Sequence, residues 1–84
     1  MISSLSMDLK RVAIGYHRGS NKMAERFMHE ALKRQGEVKL SEVKPYLRKF
    51  IKLLPEILNK KDKKRVAEDA LMYSTIFQNY TLKY

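Results

Sequence analysis

From Val66 to the end of the chain, apolar and aromatic residues recur at helical intervals. Val66, Ala70, Tyr73, Phe77, Tyr80 and Tyr84 are separated by 4, 3, 4, 3 and 4 positions, and that spacing keeps them on one face of a 3.6-residue helix. Met72 and Ile76 widen the stripe. Asp62, just ahead of it, is placed to cap the helix N-terminus.

A second stripe runs through Val43, Tyr46, Leu47, Phe50, Ile51, Leu54, Ile57 and Leu58, one wide apolar face. Ser41 is a suitable N-cap, and Glu42 suits the positive end of a helix. Pro45 falls in the first turn, where it does little harm. Pro55 predicts a kink or break after Leu54, because it lacks the N–H that would bond Ile51.

The first segment, from Leu5 to about Gln35, is harder to divide. Leu5, Leu9, Val12, Tyr16, Met23 and Phe27 fall within one arc at 100° per residue, with Ala24, Met28, Ala31 and Leu32 beside it. The phase persists across Gly15, Gly19 and Ser20, which favours one long helix with room for a bend near Gly19-Ser20. Against this, each internal glycine costs about 1 kcal/mol, and Ser20-Asn21 can cap a new helix. Gly36 reads as the residue just beyond the helix end, following Lys33 and Arg34.

These stripes predict an all-α fold: one domain over residues 1–84, a small bundle of three helices, the first long. The lengths do not match. A helix of about 30 residues spans roughly 45 Å, whereas its partners reach about 25–30 Å. Part of the first stripe then overhangs, and the expected remedy is a homodimer whose seam is Leu5, Leu9, Val12, Tyr16, Met23 and Phe27. A bend at Gly19-Ser20 would instead close a four-helix monomer.

Composition narrows the function. There is no cysteine, which excludes disulfides, thiolate metal sites and a nucleophilic thiol. With no disulfide staple and no signal-peptide pattern, a cytoplasmic chain is expected. The longest apolar run is far too short to span a membrane. No cofactor fingerprint or metal cage is legible. Eighteen Lys and Arg against nine Asp and Glu leave a net charge of +9. Self-repulsion on that scale points to a polyanionic partner, an anionic membrane surface or an acidic protein.

The densest basic feature is Lys60, Lys61, Lys63, Lys64 and Arg65; Lys44, Arg48, Lys49 and Lys52 lie on the second stripe's opposite face. Together they are the candidate phosphate contacts of a non-enzymatic protein that binds nucleic acid through its backbone. No homeodomain, zinc-finger or RNP signature accompanies them. The competing expectation is an assembly module that dimerises through its first helix and takes acidic protein partners. Tyr16, Tyr46, Tyr73, Tyr80 and Tyr84 read as core-edge residues rather than base-stacking platforms. Arg11 and His17 keep an Arg-x5-His spacing that is similar to the short motif of the HEPN class of helical ribonucleases, in which the two residues act on a phosphodiester. The likeness covers those two residues alone; it implies a late helix, whereas here the pair is on the first. His29-Glu30 is similar, more faintly, to histidine-phosphotransfer helices. Glu25 with His29 and Glu30 with Arg34 read as surface helix pairs.

Overall fold

The computed structural model describes residues 2–83. Tyr84, the last member of the C-terminal stripe, lies outside the described residues. Four α-helices follow one another: α1 Ile2–His17, α2 Asn21–Glu37, α3 Pro45–Leu58 and α4 Lys63–Lys83, with a short 3-10 turn at Leu40–Glu42 before α3. The class is all-α, as the periodicity requires. The number of helices is corrected from three to four, and the long first helix does not exist.

The break lies in the three residues after His17. Gly19 adopts φ +76°, a left-handed conformation open to glycine and costly for other residues. The turn closes with Gly19 N–H donating to Tyr16 O (3.1 Å) and Ser20 N–H to Gly15 O (2.8 Å). The chain reverses, and α2 folds back along α1. The apparent continuity of phase is misleading. The buried line of α2 runs through Ala24 and Ala31, one residue on from Met23 and so about 100° around the helix. Small residues there bring the backbones together. A Cβ built on Gly15 would approach Ala24 N to 2.8 Å.

α1 is the central helix, packing most extensively against α4 and next against α2, while α3 completes the ring against α4 and α2. Neighbours run antiparallel: Ser6 meets Ser74, Asp8 meets Arg34, and Phe50 meets Tyr73. The predicted stripes of α3 and α4 face inward. Leu47, Ile51, Leu54, Leu58, Val66, Ala70 and Phe77 are buried, and Tyr80 packs against the cluster. Met72, expected to widen the α4 stripe, is exposed.

The residues assigned to a dimer seam lie in or beside this internal core. Leu5, Leu9 and Val12 are completely buried, and Tyr16 and Phe27 pack against them. Met23 is half-buried. The overhang that argued for a second copy is absent, because the reversal at Gly19 covers the α1 stripe with α2.

Three expected boundaries also move. Gly36 is inside α2, which ends at extended Val38. Ser41 sits in the 3-10 turn, and α3 begins at Pro45. Proline drives the preceding residue out of the helical region, and Lys44 is extended (φ −61°, ψ 144°). Pro55 does not break α3, which continues to Leu58. The Ile51 carbonyl that Pro55 cannot serve accepts a hydrogen bond from Gln35 Nε2 of α2 at 3.3 Å.

Two polar contacts lock the helices. Ser6 Oγ donates to Ser74 O at 2.8 Å, and Ser74 Oγ donates to Ser6 O at 2.9 Å. The buried Asp8 carboxylate accepts a hydrogen bond from Arg34 Nε at 2.6 Å. Arg34 is therefore turned toward α1 and away from the expected surface pairing with Glu30. A carboxylate so buried needs a cationic partner to remain charged at tolerable cost.

Candidate nucleic-acid interface

The α1–α2 turn and the α3–α4 connection meet at one pole of the bundle. Asp62 caps α4 as expected, its Oδ1 accepting from Lys64 N (3.1 Å) and Arg65 N (3.4 Å). This starts α4 at Lys63 and places Lys63, Lys64 and Arg65 in its first turn, which contains no acidic residue. A groove of about 530 Å3 runs beside it, lined by Tyr16, His17 and Asn21 on one side and by Lys63, Lys64, Ala67 and Glu68 on the other. Lys63 Nζ sits 5.8 Å from the centre of the Tyr16 ring.

The pole therefore gathers more cations than the 60–65 run alone. Arg18 lies in the turn and adjoins Ala67 and Glu68. Lys22 lies in the first turn of α2, where Ser20 makes no side-chain cap. From Lys22 an exposed row continues along α2 through Arg26, His29 and Lys33, facing directly away from buried Ala24 and Ala31. Reading residues 5–35 as one helix hid this row. Placing α2 on its own register would have found it, since Lys22, Arg26, His29 and Lys33 keep helical intervals of 4, 3 and 4.

The nine cations singled out from the sequence are not equivalent. Lys61, Lys63, Lys64 and Arg65 are exposed at the pole. Lys60 is bound to Asp69, with Nζ to Oδ2 at 3.0 Å. On α3, Arg48 Nε donates to Val43 O at 3.2 Å and so braces the chain entering that helix. Lys49 rests over the Phe50 ring at 5.2 Å. Lys44, just ahead of α3, and Lys52 on it are exposed, and none of these four lines the polar groove.

The described tyrosines differ: Tyr16 and Tyr80 lie at the core edge as expected, Tyr73 is buried in the core, and Tyr46 is exposed. Tyr46 packs edge-on against Tyr80, and Tyr73 against both Phe50 and Phe77. Burial pushes the Tyr16 hydroxyl pKa above its ordinary value, with a smaller contribution from the Glu25 charge. Burial likewise raises that of Tyr73, and Asp69 adds to the effect.

Arg11 and His17 do not converge. The Arg11 guanidinium lies 5.1 Å from the Phe27 ring centre and lines a hollow with Lys10 and Gln78. His17 lines the polar groove instead. Glu25 and His29 are both exposed. Among the described residues, no group of three or more His, Cys, Asp or Glu is placed to hold a metal ion, and no helix is long and apolar enough to cross a membrane. Set against known protein families, curated proteins and solved structures, the chain matches none of them.

Proposed function

We propose that this chain is a non-enzymatic binding protein whose basic pole contacts the phosphate backbone of nucleic acid without strong sequence specificity. One observation carries the reading. Lys22, Lys63, Lys64 and Arg65 occupy the first turns of α2 and α4, where a helix already presents positive potential. Cations there oppose the helix dipole and cost about 0.3–1 kcal/mol each. An arrangement unfavourable to the bundle alone becomes favourable when phosphates approach, because the lysines and the uncapped N-terminus of α2 attract them, whereas at α4 Asp62 already holds the Lys64 and Arg65 N–H groups. The densest cations, Arg18, Lys22, Lys63, Lys64 and Arg65, lie on a turn and two first turns from different helices, which suits phosphates better than base edges.

The test is fluorescence anisotropy with a labelled duplex of about 20 base pairs and a single-stranded RNA of similar length, titrated over salt. Binding at low salt is expected. Its logarithm falls with the logarithm of salt by about 0.9 for each duplex phosphate engaged. The triple variant Lys63→Glu, Lys64→Glu, Arg65→Glu loses at least about tenfold in affinity, while Lys60→Ala changes little because Asp69 already holds that ammonium. Failure of both nucleic acids to bind at low salt overturns the proposal.

A further inference from the structure

We infer that the recess between α1 and α4 is a docking site for an acidic amphipathic helix of a partner protein. The recess meets the basic groove at its His17, Ala67 and Glu68 end, but its apolar lining lies farther along α1 and α4, and the inference does not depend on nucleic-acid binding.

The outward face of α1 is not uniformly polar. Met7 is 52% exposed, and Leu71 of α4 is 51% exposed. Two adjoining hollows of about 390 and 400 Å3 lie between the helices, and half-buried Ile14 lines both. Ala13 and Ala67 floor the first, and Ser6 floors the second. Small side chains on the floor let a third helix approach at ordinary packing distance, about 8–10 Å between axes. From Ser3 to His17 the recess runs roughly 21 Å, about four turns of an added helix.

Charge selects the occupant. Lys10 and Arg11 stand midway along the recess and Arg18 at its His17 end, and Glu68 is the one acid among the lining residues. A second copy of this chain would bring a charge of +9 against another +9. A nucleic acid would leave the Met7, Ile14 and Leu71 surface without an apolar partner. A helix with apolar anchors at i, i+4 and i+7, and glutamates on its flanks, satisfies both the floor and the rim.

The probe is a synthetic helical peptide of about 18 residues with leucines on one face and glutamates on its flanks, compared with a version carrying lysine for every glutamate. Anisotropy should show binding of the glutamate peptide and none of the lysine peptide. Met7→Glu with Leu71→Glu should weaken binding at least about tenfold. Both side chains are half-exposed, and an unchanged melting curve confirms that the double variant is folded. The Lys63→Glu, Lys64→Glu, Arg65→Glu variant, whose substitutions border only the His17 end of the recess, should weaken the peptide less than Met7→Glu with Leu71→Glu does. Equal binding of the two peptides, indifference to the Met7 and Leu71 substitutions, or a greater loss in the basic-pole variant than in the Met7 and Leu71 variant would each overturn the proposal. So would a concentration-dependent dimer that the Met7 and Leu71 substitutions abolish, since a second copy would then be the occupant.

Discussion

A methyl group at Gly15 would meet the Ala24 backbone nitrogen at 2.8 Å, whereas one at Gly36 would meet nothing within 4 Å. Both glycines lie inside helices, yet opposite outcomes follow. Gly15→Ala forces α1 and α2 apart and should destabilise the fold by about 1–3 kcal/mol, the usual cost of overpacking. Gly36→Ala removes a flexible residue from the last turn of α2 and should stabilise it by about 0.5–1 kcal/mol. Urea titrations of the two variants beside the parent protein check both signs at once. No local feature of the sequence separates these glycines. The difference arises from what lies across the interface, 9 residues away in the chain for Gly15 and solvent for Gly36.

Within α3, proline is accommodated by a side chain from another helix. Pro55 leaves the carbonyl of buried Ile51 without its helical donor, and Gln35 Nε2 supplies a hydrogen bond at 3.3 Å. Gln35→Ala should therefore destabilise the protein by about 1–2 kcal/mol, with the loss shrinking when Pro55→Ala restores the N–H. The double-mutant cycle reads that coupling directly. This rescue was illegible because the donor is 16 residues from its acceptor, while periodicity reports only on a helix's own faces. Local chemistry locates some features and not others: Ser41 and Gly36 do not bound their helices, and Met72 faces outward. The inward stripe of α4 and the Asp62 cap follow from spacing and from one carboxylate. The first segment failed for the converse reason. Leu5 to Val12 and Met23 to Phe27 share an arc only if the helix is straight, and a three-residue reversal happens to preserve that arc on paper. The candidate interface was legible to the same degree. The 60–65 run is visible in sequence, but Arg18 and Lys22 join it only once the chain has turned back.

For the whole molecule, a radius of gyration of 11.9 Å equals the value of about 12 Å expected for a closed chain of this length. Excess positive charge is held on a body of 35 × 21 × 17 Å, so many like charges lie within a few Debye lengths of one another. Added salt should raise the urea midpoint of the free protein while it lowers affinity for nucleic acid. The two trends have opposite signs because salt screens the repulsion in the free protein and lessens the gain from each counterion released on binding. Parallel titrations in one buffer series check both. The paired serines of α1 and α4 have a mechanical consequence. Each hydroxyl reaches the other's carbonyl in only one longitudinal alignment. Sliding either rod by a helical turn, about 5.4 Å, would break both of these bonds. The seam behaves like a detent, and any guest settling between these rods meets a slot whose width is set before it arrives.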